Sequence, residues 1–410
     1  MMEARMNIDE QVNYLMRGAE YGDQQVFDAM ADELRERLIE SEKTGVPLKV
    51  YCGFDPTSSD LHLGHTVPLR KLAQFQELGH DVTFVIGTFT ALIGDPSARD
   101  KSRPLVGLET ILENAKTYQE QAFRVLDPEK TRIVYNGDWL NNIPYHEIFN
   151  VLTNFTIQQM LSREGLQKRW ESNEPIYLHE MLYPITQGLD AHHLEADVQV
   201  GGTDQLYNVI TASRKVMQSY GQRPNIGILM PLLPGTDGVQ KMSKSLGNYI
   251  PINTTAEDMY GKVMSIPDDV MAQYAKLVTK WSSQELYTFL GALETNSIHP
   301  RDAKMQLAYA ITSAFYGDSL ADEAENRFVT TFQKGDIPDE MPEVHLEAGK
   351  HTVLDVLVDQ GLVSSRSEGR RVISQQGVKL DGVTVGDPTA VLDTGGVLQV
   401  GKRKFVRILI

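Results

Sequence analysis

"LKVYCGFDPTSSDLHLGH", Leu48–His65, is the stretch on which the fold turns. Leu48–Phe54 has the apolar character and length of a short β-strand. Asp-Pro-Thr-Ser-Ser-Asp then turns the chain with residues that favour turns. His62 and His65 follow, three residues apart around Gly64. That spacing places both imidazoles on one face of a helix start. Glycine between them removes a side chain and lets a flat or bulky ligand reach the backbone. Free N–H groups at a helix start favour anions, and two imidazole donors beside them suit a polyphosphate. The same residues, taken alone, also describe two surface histidines and a chance glycine.

Outward from this stretch the pattern repeats. "HTVPLRKLAQFQELGH" (His65–His80) reads as a helix closed by Gly79, with Pro68 implying a kink or a late start. "DVTFVIGTFTALIGD" (Asp81–Asp95) reads as a strand entering a glycine-containing loop. "TRIVYNGDWL" (Thr131–Leu140), "EADVQVGGTDQ" (Glu195–Gln205) and "PNIGILMPLLPG" (Pro224–Gly235) read as further strands. Residues from about 8 to 42, 142–195 and 255–333 have helical spacing, the second with a polar interruption near Ser172–Pro175. Strands alternating with helices, and apolar throughout, predict an α/β fold: a Rossmann-like parallel sheet covered on both faces. Ligands gather at the carboxyl ends of such strands. The expected organisation is a Rossmann-like domain over 1–245, an α-helical domain over 246–335, a linker over 336–350 and a small α/β module over 351–410.

Composition narrows the function. Of 410 residues, 41% are hydrophobic and 23% charged, ordinary for a globular chain. No run of about 18 apolar residues indicates a membrane span. The acidic, amphipathic start, Met1–Tyr21, lacks the pattern of a signal peptide. A single cysteine, Cys52, excludes an internal disulfide and a Cys-rich zinc site, and fits a reducing cytoplasm. The net charge of −16 argues against indiscriminate nucleic-acid binding. It is unevenly spread, however. His351–Ile410 carries eight Lys/Arg and six Asp/Glu, a net of +2; the remaining 31 basic and 49 acidic residues leave −18. A mildly basic tail on an acidic body suggests a module with its own partner.

Three further segments carry chemistry. "KMSKS" (Lys241–Ser245) follows the Gly-rich "LLPGTDGVQ" and sets two lysines three apart on a loop. Lysine is a compact cation on a flexible stem, suited to reaching a phosphate, although most lysine clusters are solvated loops. Tyr183, Gln187 and Asp190 in "YPITQGLD" share one helical face, as a polar wall of a pocket or as a self-satisfied buried network. "GGTDQ" (Gly201–Gln205) ends a strand. Its glycines allow close approach of a ligand to the backbone, and Asp204 can accept ribose hydroxyls as acids do in dinucleotide folds. The alternative is a plain turn.

Together, "YCGFDPTSSDLHLGH", "LIGDPSARDKSR", "YPITQGLD", "VQVGGTDQ" and "KMSKSLGN" resemble, in content and order, the class I aminoacyl-tRNA synthetases of the tyrosyl, bacterial type. The resemblance spans nearly the whole chain. It implies tyrosine activation by ATP, entering as its Mg²⁺ complex with no metal bound tightly by the protein, and then transfer to tRNA(Tyr). It implies phosphate contacts from Thr57, His62, Lys241 and Lys244, with His65 beside them. Gly53, Asp55, Gly64, Gly202, Asp204, Met242, Ser243 and Lys244 fall to ATP. Tyr183, Gln187 and Asp95 fall to the amino group of tyrosine, Asp190 and Tyr51 to its phenol, and Gln205 lies near its carboxylate. Arg99 and Arg103 are candidate phosphate contacts. The resemblance also implies a homodimer in the cytoplasm, without a membrane, joined through the insertion at about 140–180, and an anticodon-side role for the helical domain. Only 176 positions separate His65 from Lys241, which leaves little room for a hydrolytic editing insertion. The tail, "SSRSEGRRVISQQGVKLDGVTV" and "VLQVGKRKFVRILI", resembles an RNA-binding module of a small-subunit ribosomal protein. Arg366, Arg370, Arg371, Lys379, Lys402, Arg403 and Lys404 are its candidate tRNA contacts, since arginine forks suit phosphate and RNA shape.

Overall fold

A computed structural model describes residues 6–97, 106–333, 341–346, 349–401 and 404–410. It forms two compact units, one running to Asp318 and one from Ser319 onward. Arg99, Arg103, Lys402 and Arg403 lie outside the described residues.

The first unit is built on β1 (Lys49–Phe54), β2 (Asp81–Ile86), β3 (Thr131–Tyr135), β4 (Val198–Gly202) and β5 (Ile226–Met230), in the order β3-β2-β1-β4-β5. Every pairing between them is parallel. Apolar runs are buried end to end in the inner strand β2, at Val82–Ile86, and also in the edge strand β5, at Ile226–Met230, because helices cover both faces. The strand order reverses between β1 and β4. Loops leaving their carboxyl ends therefore diverge and open a crevice. The Asp55–His62 loop leaves β1 there, and the Thr203–Gln205 turn leaves β4.

Two helices precede the sheet, α1 (Ile8–Met16) and α2 (Gln24–Thr44). Arg37 of α2 pairs with Asp197 just before β4. Leu63–His65 forms a single 3₁₀ turn that runs into α3 (Thr66–Glu77). Pro68 thus lies in the first turn of α3, where its missing N–H costs no helical hydrogen bond; this is the late start. The strands expected at Asp81–Asp95 and Thr131–Leu140 are shorter than their apolar runs. β2 stops at Ile86 and a helical turn occupies Thr90–Ile93; β3 stops at Tyr135 and another occupies Gly137–Leu140.

The insertion consists of short helices at Tyr145–Leu152, Ile157–Leu161 and Glu164–Glu171, followed by α4 (Leu178–His193). Its polar interruption has a structural reason. Arg169 turns back from the end of Glu164–Glu171 to meet Glu180 in α4, with paired N···O distances of 2.6 and 2.9 Å, and also donates to the Pro175 carbonyl. Arg169 and Glu180 side chains are 1% and 4% exposed. Removing one partner strands a buried charge, so Arg169→Ala should destabilise the fold by about 3–5 kcal/mol. Urea unfolding monitored by fluorescence would read this as a lower midpoint.

Helices at Ala256–Met264, Met271–Val278, Ser283–Glu294 and Pro300–Tyr316 complete this unit. In the second unit a sheet runs in the order β6-β10-β9-β7-β8: β6 (Glu343–His345), β7 (Val378–Leu380), β8 (Val383–Thr384), β9 (Gly396–Val400) and β10 (Lys404–Leu409). Two helices, α5 (Val353–Asp359) and α6 (Arg366–Ser374), share a core with it that includes Leu357, Ile373, Val378 and Leu398. β6 falls inside the stretch expected to be a linker, where it forms the edge of the sheet by pairing in parallel with β10.

Candidate functional site

A cleft of about 650 Å³ opens at the carboxyl ends of the sheet. The catalytic, nucleotide and tyrosine residues expected from the sequence all line it; they come from β1 and the loop and histidine turn after it, Asp95, the α4 trio, the β4 turn and the Lys241–Ser245 loop. Three groups of contacts divide the cleft.

At the histidine turn, the His65 Nδ1 accepts the backbone N–H of His62 at 3.1 Å, and the two rings lie 3.8 Å apart. His65 therefore carries its ring proton on Nε2. Burial lowers its pKa to about 4. His62 is also held well below the usual histidine range, first by burial and then by the nearby His65 and Lys241. Both rings are neutral near pH 7, so each can offer an N–H dipole but no full positive charge. A Cβ on Gly64 would come within 3.1 Å of the His62 ring.

Across the cleft, the lysine loop is tied down by carboxylates. Lys241 Nζ lies 3.4 Å from Asp204, and Lys244 Nζ donates to Asp60 at 2.8 Å. Burial raises the Asp204 pKa and the Lys241 charge opposes that. Lys244 and the Ser59 hydroxyl hold Asp60 below its usual range. Asp60 is not among the site residues expected from the sequence, although it stands in the opening loop; nothing in the sequence points to its lysine partner 184 positions away.

The third group is a small polar chamber. Asp190, 4% exposed, accepts from Asn136 Nδ2 at 3.1 Å and from Trp139 Nε1 at 2.9 Å. Burial pushes its carboxyl up to about 7, against these two hydrogen bonds. Tyr51 points its hydroxyl at the Gln187 carbonyl, 3.4 Å away, and burial followed by the Asp190 charge raises its pKa strongly. Tyr183 donates to Asp55 at 2.9 Å, and Thr90 donates to the other Asp55 oxygen at 2.6 Å. Asp95 accepts from the Ser97 N–H and from Gln205 Nε2. Sequence reasoning misses Asn136 and Trp139 because their segment reads as strand, and Thr90 because its segment reads as a glycine-containing loop. Cys52 lines the cleft as a buried residue whose pKa is pushed up to about 12 by burial, which keeps it a protonated thiol.

In the second unit, Arg366, Arg370 and Arg371 are exposed along α6, and Lys379 and Lys404 are exposed on β7 and β10. Arg366 is engaged by Asp355 at 2.8 Å, and Lys404 donates to the Leu362 carbonyl.

A parallel sheet with its ligand cleft between a histidine turn and a two-lysine loop defines a class I tRNA synthetase catalytic domain. Residues 43–333 match the family model for class I tRNA synthetases (W and Y), and residues 333–407 match that for the tyrosine–tRNA ligase SYY-like C-terminal domain. A tyrosine–tRNA ligase of Thermotoga maritima is 45% identical over 405 residues, covering 98% of each chain. One from Geobacter sulfurreducens is 45% identical over 407 residues, covering 98% of this chain and 99% of its own. The chain belongs to the tyrosine–tRNA ligase family. Among solved structures, a C-terminally truncated mitochondrial tyrosyl-tRNA synthetase of Aspergillus nidulans superposes with a TM-score of 0.61 at 22% identity, covering 80% of this chain and 95% of its own. A tyrosyl-tRNA synthetase of Archaeoglobus fulgidus complexed with L-tyrosine gives 0.60 at 22% identity, covering 78% and 100%. At these identities the likeness is one of fold.

Proposed function

We propose that this chain is a tyrosine–tRNA ligase that activates L-tyrosine with ATP·Mg²⁺ and transfers the tyrosyl group to the 3′-terminal adenosine of tRNA(Tyr). One observation carries the reading. A buried carboxylate, Asp190, sits with Tyr51 in the same cleft as the histidine turn and the lysine loop. Such a pair suits a phenol hydroxyl; an indole offers only an N–H donor.

The tyrosine carboxylate attacks the α-phosphate in line, and pyrophosphate leaves. No covalent enzyme intermediate is required. Catalysis is positioning plus stabilisation of charge on the phosphates. Thr57, His62, Lys241 and Lys244 supply that stabilisation, with His65 fixing the turn. Gly53, Asp55, Gly64, Gly202, Asp204, Met242 and Ser243 hold the nucleotide. Asp95, Tyr183, Gln187 and Gln205 hold the amino and carboxylate groups. The lysines reach the phosphates by exchanging Asp204 and Asp60 for them as the loop closes. The exposed arginines of α6, with Lys379, Lys404 and the adjoining Lys402 and Arg403, contact tRNA. The enzyme works in the cytoplasm as a homodimer. Support for the dimer comes from large apolar side chains left in solvent on the insertion: Tyr145 at 75%, Ile157 at 71%, Trp170 at 67% and Leu178 at 86% exposure.

Exchange of labelled pyrophosphate into ATP tests the reading. It should require L-tyrosine and fail with L-tryptophan, and tRNA(Tyr) should then be charged. Lys244→Ala should slow exchange by about 10²-fold with little change in the tyrosine KM. Exchange supported by tryptophan and not by tyrosine would reject the assignment.

A further inference from the structure

At the amino-acid end of the cleft, three side-chain amides and a carboxylate form a chain of fixed polarity. Asp95 Oδ2 accepts from Gln205 Nε2 at 2.5 Å. Gln205 Oε1 in turn accepts from Asn208 Nδ2 at 2.8 Å. The same Asn208 nitrogen donates to Gln187 Oε1 at 3.0 Å. Asn208 itself is fully buried, at 0% exposure, and does not line the cleft. Its Oδ1 has no hydrogen-bond partner among the described residues, so it serves this network as a donor only.

The order of donors follows from the chemistry of the carboxylate. An ionised carboxylate only accepts hydrogen bonds. Gln205 must therefore turn its NH₂ to Asp95, which leaves its oxygen facing position 208. Position 208 must then donate, and Gln187 must present its oxygen in return. Local structure brings the parts together. Gln205 and Asn208 are one turn apart at the head of the π-helical segment Tyr207–Ser213, a distortion that often marks functional sites. α4, which carries Gln187, lies close against that segment. A Cβ on Gly188 would come within 2.7 Å of Val216 and 3.1 Å of the Ser213 backbone.

We infer that Asn208 is a positioning residue for amino-acid recognition: by donating to Gln187 and Gln205 together, it fixes which ends of their amides face the cleft and keeps Gln205 bonded to Asp95. The inference rests on the reading that Asp95, Gln187 and Gln205 hold the amino and carboxylate groups of tyrosine. It makes Asn208→Asp an informative change. Aspartate has nearly the same shape but only accepts, so both glutamines must turn NH₂ toward position 208. Gln205 then shows its oxygen to Asp95, and two acceptors face each other.

The test is steady-state pyrophosphate exchange with the full-length enzyme carrying N208D or N208A, alongside D95N. A phenol without a headgroup, 4-ethylphenol, serves as a competitive inhibitor. Both Asn208 variants should raise the tyrosine KM by about tenfold or more, N208D at least as much as N208A, with the ATP KM and the 4-ethylphenol Ki within about twofold of the parent. A purely structural role would weaken tyrosine and 4-ethylphenol alike, and that result overturns the inference. So does a tyrosine KM within about twofold of the parent in both variants. If D95N raises the tyrosine KM and the Asn208 variants do not, only the positioning role falls. If D95N has no effect, the headgroup assignment itself falls.

Discussion

Asp190→Asn should lower kcat/KM for tyrosine by roughly 10- to 100-fold and leave any activation of phenylalanine nearly unchanged, because a hydrogen bond to a charged group is worth about 1.5–3 kcal/mol. Asp190 already accepts from Asn136 and Trp139. A phenol hydroxyl adds a further donor to a carboxyl that, once ionised above about pH 7, has lone pairs to spare. An asparagine there offers one oxygen for three donors and turns its own NH₂ toward one of them. Phenylalanine brings no hydroxyl and loses nothing by the change. Pyrophosphate exchange with each amino acid measures the ratio; an unaltered ratio would exclude Asp190 as the phenol acceptor.

The same carboxylate ties stability to pH with a definite sign. In the fold Asp190 keeps its proton up to about pH 7, because burial disfavours the charge. In the unfolded chain it releases the proton near about pH 3.9. Between those values the folded state binds the extra proton, so stability contributed by this site falls as pH rises through the window. The uncharged amide of the D190N variant has no such dependence. Relative to the parent, D190N should gain melting temperature from pH 4 to about pH 7 and then level off. Thermal melts of the pair at both ends of that range check the slope, and a constant offset would mean that Asp190 does not titrate there.

The sheet and the nucleotide half of the cleft were legible because turn and strand signals there are local. Asp-Pro-Thr-Ser-Ser-Asp after an apolar strand, and Gly-Gly-Thr-Asp after another, announce chain reversals whatever surrounds them. The amino-acid half was harder. "YNGDWL" reads as the tail of a strand, yet β3 ends at Tyr135 and the following turn aims Asn136 and Trp139 at Asp190. A short apolar run has the same spacing in a strand end and in one helical turn, so periodicity cannot separate them. Asn208 carries no motif at all. Its importance lies in complete burial beside two glutamines, one of them from α4, which only tertiary structure reveals. β6 escaped for a different reason. Its three residues are surrounded by Pro, Gly and acids, and only pairing with β10 makes them a strand.

His62→Ala should cut the maximal rate of adenylate formation by about 10²- to 10³-fold, the usual effect of deleting one preorganised donor to a developing oxyanion, and leave the tyrosine KM unchanged. The chemical form of His62 sharpens the prediction. Burial first, then the neighbouring His65 and Lys241, keep its imidazole uncharged at working pH. In the proposed mechanism it would stabilise the transition state as a neutral N–H dipole, with full positive charge coming from Lys241 and Lys244. A neutral amide can take over part of that role, so His62→Asn should recover much of the rate lost in His62→Ala. The maximal rate at saturating tyrosine should also stay level between pH 6 and pH 8, since no charge on His62 is lost across that range. Rapid-quench measurement of tyrosyl-adenylate formation separates this step from tyrosine binding. A rate that falls as pH rises through the ordinary histidine range, together with an inactive H62N, would show that the imidazolium acts instead.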